Sequence, residues 1–469
     1  MIKLQGYIRE RCDKMQGSNP LATVSEKKLL KQFAIPSIIA MLVSSLYNIV
    51  DQFFIGRSVG GLGNAATNIV FPLTISCVAC ALLFGIGGAS AFNLSLGEGD
   101  NEHAKYYIGN SATMMIICGL ILMFISQIFM VPMLKFFGSP DSVLKYAIIY
   151  TRITSIGFPF LILSAGGGHL VRADGSPKMT MIINMTGAII NTILDALFVF
   201  GFHWGMAGAA SATVIGQIIS CAIVIVYFKN FKTTTISKKV FIPHAHYIEK
   251  VVSLGAAPCF NQFAMMLVQI IMNKSLKYYG QHSVYGEEIP ITCVGLITKV
   301  SQVFFSFIIG ISQGLQPIAS FNYGAKNYSK VKRAYLLAIK YGAVISIFSF
   351  AMFQIFPRQI IALFDNGTAS ELYFKFSTNY FRIFLFFICI CFMQPISSNF
   401  FTAIGKPKKG IVLSLTRQIL FLLPLILILP LFFGIDGIMY AGPIADFTAA
   451  LACTIMIIYE LRKEEFKNH

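Results

Sequence analysis

Charge is what this sequence has least of. Only 12% of its 469 residues are charged and 56% are hydrophobic, a balance that a soluble chain could not fold without exposing large apolar patches. A soluble enzyme or binding module is thereby excluded. Acids are scarcer still, 20 Asp and Glu against 37 Lys and Arg. All ten cysteines except Cys12 fall in or at the ends of apolar runs. That argues against a disulfide framework and leaves them as small packing residues, including the C-x-x-C pair Cys77 and Cys80. His244 and His246 have no cysteine or acid nearby, so no structural metal is expected. Nothing resembles a P-loop, an ATP-binding cassette or a zinc-protease helix, and no nucleophile has a base or metal ligand at the right spacing. Neither an enzyme activity nor a cofactor is expected. The first thirty-two residues are polar and basic rather than a short apolar core, so no cleavable signal is expected.

What is present is length of apolar chain. Stretches able to cross about 30 Å of hydrocarbon, roughly 20 residues each, occur near 33–56, 65–95, 107–130, 145–168, 180–201, 206–228, 251–273, 291–315, 335–356, 376–403, 411–433 and 437–459. The expected fold is therefore all-α and polytopic, with twelve transmembrane helices. An even number places both termini on one side. Lys and Arg crowd the loops of that side, from Lys27, Lys28 and Lys31 to Lys406, Lys408 and Lys409, while the other side has only Arg57, Lys135, Lys145, Lys274, Lys277, Arg358 and Lys375. By the positive-inside rule both termini are cytoplasmic and the chain sits in the cell membrane. The net charge of +17 is topogenic and calls for no nucleic-acid partner. Asn366-Gly-Thr368 forms a glycosylation sequon in an outer loop.

The halves repeat. Pro36 pairs with Pro258, Asp51 with Asn273, Gly97 with Gly324, Gly175 with Gly405 and Gly208 with Gly437, at offsets that run only from 222 to 230. One six-helix unit has been doubled, giving two pseudo-symmetric bundles. Residues 1–32 form an N-terminal segment, 33–228 the first lobe, 229–250 a cytoplasmic linker, 251–460 the second lobe and 461–469 a tail. Such duplications build two lobes around a central substrate path.

Acids inside a membrane are expensive and point to function. There are three: Asp51, Asp195 and Asp446. With the first and fifth spans running outward and the fourth and sixth inward, Asp51, Asp195, Thr213 and Tyr150 all fall roughly 8 to 10 Å beneath the outer surface at 1.5 Å per residue. Asn191 precedes Asp195 by four residues and shares its helix face. Oxygen ligands suit hard cations, and neighbouring carboxylates suit a titrating proton. A Na⁺ site at Asp51, Asn191, Asp195 and Thr213, or a proton site at the same place, follows as the expectation. The structural alternative is that Asp195 caps a polar network with Asn191 and that Asp51 merely hydrogen-bonds near the interface. In the second lobe Asn273 replaces the aspartate, while Lys299 and Arg382 sit in apolar surroundings. Either of them is expected to pair with Asp446, to brace the lobe or line its cavity. Arg152 has no evident partner.

These features coincide with longer motifs: Ala-Ile-Pro-Ser-Ile-Ile-Ala then Leu-Tyr-Asn-Ile-Val-Asp-Gln-Phe-Phe-Ile-Gly, Leu-Gly-Glu-Gly-Asp, Arg-Ala-Asp-Gly-Ser-Pro-Lys, Gly-Leu-Gln-Pro-Ile-Ala-Ser-Phe-Asn-Tyr-Gly-Ala-Lys and Ala-Ile-Gly-Lys-Pro-Lys-Lys-Gly. From about residue 26 to 460 the chain resembles the multidrug and toxic compound extrusion (MATE) family, within it the DinF-like branch. The resemblance implies two six-helix bundles facing a cavity, and export of organic, cationic or amphipathic compounds coupled to inward movement of Na⁺ or H⁺. It makes Asp51 the essential acid of the first helix and Pro36 the hinge at which that helix bends. Tyr150, Asn191, Asp195 and Thr213 match the polar site of the first lobe. Other branches carry cation-binding acids on the seventh and tenth helices, where this chain has none, so coupling is expected in the first lobe. A flippase or exporter of a lipid-linked or anionic metabolite is the alternative, favoured by Arg152, Lys299 and Arg382. A monomer is expected, with a small-molecule substrate and the bilayer as partners.

Overall fold

In hydrocarbon every backbone N–H and C=O must find a partner within the protein, which a helix provides from its own residues. The computed structural model describes residues 19–286, 288–362, 370–463 and 466; Cys12 and the Asn366 sequon lie outside them. The described chain is an all-α membrane protein of twelve spans in two six-helix bundles. The first bundle comprises α1 (Glu26–Val59), α2 (Gly61–Gly97), α3 (Asn101–Ile128), α4 (Asp141–Ala173), α5 (Pro177–Gly201) and α6 (Gly205–Lys229). The second comprises α7 (Ala245–Gln281), α8 (Glu288–Gly324), α9 (Tyr328–Ile355), α10, α11 (Pro407–Phe433) and α12 (Ile435–Leu461). Eleven of these are long and apolar enough, by length and composition, to cross a bilayer. The exception is α10, whose two pieces Glu371–Phe384 and Met393–Ala403 flank a 3₁₀ turn at Phe386–Cys389.

The repeat extends to the irregularities. Helix α4 breaks at Ser155–Gly157 as α10 does at Phe386–Cys389. The carbonyls freed by the two breaks are capped in the same way: Gln127 of α3 donates to the Arg152 carbonyl at 2.8 Å, and Gln354 of α9 donates to the Arg382 carbonyl at 2.9 Å. Helices α5 and α11 each contain a π-helical turn, Ala196–Gly201 and Thr416–Leu422. Gly175 and Gly405 occupy the same left-handed turn, with φ of 78° and 73°.

All loops on the side of the described chain ends lie on one face, called here the terminal face. The lobes meet on the half nearest that face. In α2 every residue from Gly85 to Gly97 is buried, and in α8 every residue from Gly310 to Asn322. Backbones there touch. A Cβ at Gly87 or Gly255 would strike the Val251 or Leu83 carbonyl, and one at Gly97 or Gly324 the Phe321 or Leu94 carbonyl. Close helix approach through small residues is how membrane helices gain packing contacts without a hydrophobic drive. Beyond Ser45, which meets Ser306 at 2.8 Å, the picture changes. Among the following residues of α1 only Ile55 is buried, and α7 beyond Cys259 keeps a single buried stripe, Ala264, Val268, Met272, Leu276 and Gly280. The lobes therefore diverge away from the terminal face and leave a cleft between them.

Two reciprocal clasps close the terminal face. The segment before α1 is gripped by the second lobe: Lys330 Nζ donates to the Ala22 and Val24 carbonyls at 2.7 Å each, Asn322 donates to the Leu21 carbonyl at 3.1 Å, and Arg333 pairs with Glu26 at 2.7 Å. The segment before α7 is gripped by α3 of the first lobe. Asn110 donates to the Val240 carbonyl at 3.1 Å and accepts from the His244 N–H at 2.7 Å, Thr113 donates to the Phe241 carbonyl at 2.8 Å, and Tyr247 stacks on Tyr106. Ahead of it, Asp174 accepts hydrogen bonds from the Lys232 and Thr233 amides, the Thr233 hydroxyl and Tyr227. Burial pushes the Asp174 carboxyl above the usual carboxylate range, against the pull of those donors.

Candidate functional site

Helices α5 and α6 approach through Gly187 and Gly216, with Ser220 donating to the Ile183 carbonyl at 3.0 Å. That contact brings the Asn191 side chain beside Gly216 and within reach of Thr213, to which its Nδ2 donates at 3.1 Å. The Thr213 hydroxyl in turn donates to the Ala209 carbonyl at 3.0 Å. One turn beyond Asn191, Asp195 ends the regular part of α5 and is fully buried. The following π turn widens the helix just there, a feature frequent at functional sites. From α1, the Asp51 carboxyl comes up against that of Asp195, and from α4 the Tyr150 hydroxyl lies beside Thr213 and both acids. All five residues expected at the coupling site, Asp51, Tyr150, Asn191, Asp195 and Thr213, are thus brought together inside the first lobe.

A sixth member was missed. Tyr47 places its hydroxyl beside Thr213, Tyr150 and the two carboxyls. The signal was present, since Tyr47 precedes Asp51 by four residues and must share its helix face. Together they point into the lobe, about 120° (Asp51) to 160° (Tyr47) around α1 from the Ser45 face that meets α8.

The cluster is short of donors. Asp51 Oδ1, Asn191 Oδ1 and both carboxylate oxygens of Asp195 are buried with no hydrogen-bond partner. Each unsatisfied buried acceptor costs about 1–3 kcal/mol, more for a charged one. Four acceptors converging in one place create a strong demand for positive charge, met by a proton or a small cation. A pocket of about 360 Å³, lined in part by Ser58, Tyr146, Ile149, His203, Trp204 and Met206, opens on the face away from the chain ends. Tyr146 is one helical turn from Tyr150, and Ser58 and Met206 are about two turns from Asp51 and Thr213, so this pocket lies directly above the cluster.

The second lobe corrects the expected pairing. Asp446, almost fully buried on α12, is held by Arg417 at 2.5 Å from Nε to Oδ1, not by Lys299 or Arg382. Arg417 lies in the π turn of α11, which turns its guanidinium inward toward α12. Lys299 and Arg382 are exposed, and among the described residues neither side chain has an ion-pair partner. Arg152 is likewise exposed. Asn273 lies on the exposed part of α7 and accepts from Gln269 at 3.1 Å. Helix α1 runs unbroken through Pro36. No group of three or more His, Cys, Asp or Glu suited to a metal occurs among the described residues.

Comparison with known proteins follows the same lines. The MatE family profile matches residues 36–197 and 258–428, one copy in each lobe. The multidrug export protein MepA of Staphylococcus aureus is 23% identical over 439 residues, covering 93% of this chain and 94% of its own. Among solved structures, a MOP superfamily transporter from Pyrococcus furiosus superposes with a TM-score of 0.87 at 22% identity, over 95% of this chain and 98% of its own. A multidrug resistance MATE family transporter of the MOP superfamily in an outward-facing conformation gives the same TM-score, identity and coverage.

Proposed function

Because this chain belongs to the MatE family, whose members are membrane transporters and not enzymes, we propose that it is a secondary active antiporter exporting amphipathic organic compounds in exchange for H⁺ or Na⁺ by alternating access. Its two lobes are residues 33–228 and 251–460, linked by 229–250, and both termini face the cytoplasm in the cell membrane. With that orientation the cleft opens outward and the clasped terminal face seals the inside.

The observation that carries the proposal is the group of unpartnered acceptors at Asp51, Asn191 and Asp195. Asp195 has no exposed surface, so no bulky organic cation reaches it in this state; a proton, or a small cation stripped of part of its water, does. Arrival of the coupling ion from outside neutralises the carboxyls, removes their mutual repulsion and draws α1 against α5 and α6. Movement of α1 is felt across the cleft through the Ser45–Ser306 contact and the glycine seam, with Pro36 as the bend. A ligand drives such an equilibrium only by its different affinity for the two states. The acceptor cluster supplies that difference for the ion, and the cleft supplies the opposite difference for the substrate.

The test is efflux of a fluorescent amphipathic dye from proteoliposomes, driven separately by a pH jump and a Na⁺ jump, in the native protein and in Asp51→Asn. Acceleration by one ion that disappears in the variant names the coupling ion. No response to either ion in folded native protein refutes the antiport.

A further inference from the structure

Ion coupling leaves one charged feature of the cleft unused. Ser306, Gly310 and Gly314 of α8 lie against Ser45, Ile38 and Ala34 of α1, which defines the face of α8 turned to the other lobe. Lys299 is seven residues before Ser306, about two turns away and within about 20° of the same direction at 100° per residue. It therefore stands on the cleft wall just beyond the point where the lobes part. Its side chain is exposed, and one turn further Gly295 faces open space. Gln302, also exposed, lies about 40° from Ser306 on this wall. On α7, Asn273 is eighteen residues, five full turns, from the Gly255 that touches α2, so it shares the cleft-facing direction. Its Oδ1 is occupied by Gln269, which leaves its amide N–H groups to point outward.

None of the three intramembrane acids faces this wall. Asp51 is turned into the first lobe, Asp195 is fully buried, and Asp446 is engaged by Arg417. A cleft whose walls offer an ammonium and amide donors, with the acids withdrawn, is matched to a negative group. We propose that Lys299 is an anion-recognising residue of the substrate cleft, so that the exported compounds carry a carboxylate, sulfonate or phosphate beside an apolar body. This rests on the cleft being the path of an alternating-access exporter, and it reverses the order in which the sequence alone ranked cationic and anionic compounds.

The experiment is equilibrium binding of a carboxylate-bearing rhodamine and of its ethyl ester, two dyes differing by one negative charge, to protein in phosphatidylcholine nanodiscs without any ion gradient. Lys299→Gln should weaken the free-acid dye about tenfold, as expected for losing one charge-assisted contact, and leave the ester within about twofold. Lys299→Arg should keep the preference for the acid. Equal weakening of both dyes by Lys299→Gln, no change in either, or loss of the preference in Lys299→Arg overturns the assignment. Exchanging half the lipid for phosphatidylglycerol separates two sources of the anion. Weaker dye binding in the native protein but not in Lys299→Gln identifies a lipid headgroup, and unchanged native binding a free anion. Because no gradient is applied, a failure of antiport leaves this result standing, and absence of any preference for the acid dye in the native protein, with ion-driven efflux intact, removes Lys299 alone.

Discussion

The ion pair between Arg417 and Asp446 gives the sharpest energetic test of the second lobe. Asp446 is 2% exposed and Arg417 17%, so either charge left alone would be stranded in a poorly solvated place. Breaking a buried pair from one side costs about 3–5 kcal/mol, because the remaining charge has lost its compensation; replacing both members by apolar groups of similar size is close to neutral. Arg417→Met and Asp446→Leu should each destabilise by about 3 kcal/mol or more, the partial exposure of Arg417 placing its variant at the upper end, since it strands the more buried Asp446. The double variant should lie within about 1 kcal/mol of the native protein, a coupling well above the 0.5–3 kcal/mol usual for residues in contact. Unfolding in mixed micelles by increasing dodecyl sulfate, followed by far-ultraviolet circular dichroism, measures all four corners of the cycle. As a control, Lys299→Met on the Asp446→Leu background should restore nothing. Additive losses at Arg417 and Asp446, or rescue by the change at Lys299, would refute the pairing.

Three further outcomes are expected. Tyr47→Phe removes a hydroxyl from the acceptor cluster and should raise the ion concentration for half-maximal efflux about three- to tenfold, the worth of one hydrogen bond; an unchanged ion dependence would remove Tyr47 from the site. Gly255→Ala drives a methyl group into the Leu83 carbonyl and should cost about 1–3 kcal/mol. It should also raise maleimide labelling of a cysteine placed at Ser90 in a cysteine-free background, and silence there would show that the seam yields elsewhere. Lys330→Ala frees the Ala22 and Val24 carbonyls and should speed tryptic cleavage at Lys27 and Lys28 several-fold; an unchanged rate would mean that Asn322 and Arg333 suffice to hold the clasp.

Much of the architecture is written in the sequence because hydrocarbon permits so few solutions. Apolar length marked all twelve spans, and the paired glycines and prolines marked the repeat. Depth counting gathered Asp51, Tyr150, Asn191, Asp195 and Thr213, because a helix converts residue number directly into height. Direction around the axis was harder to obtain. The run Phe386 to Phe392 is uniformly apolar and gives no sign of the 3₁₀ turn that splits α10. The partner of Asp446 was hidden because a π turn, invisible in the sequence, rotates Arg417 toward α12. Lys299 was assigned a partner on the ground that a buried cation needs one, but the divergence of the lobes leaves it exposed.

The two clasps have a consequence for assembly. The arm that precedes each bundle is held by the opposite bundle, like two people gripping each other's wrists. A cut between Thr234 and Ser237 severs neither grip. Lys232 and Thr233 stay on Asp174 of their own half, while Val240, Phe241 and His244 remain on Asn110 and Thr113 of the other. Two half-length polypeptides divided there should find each other in the bilayer and rebuild the transporter, with the exchanged arms acting as the address that tells each half which surface to join.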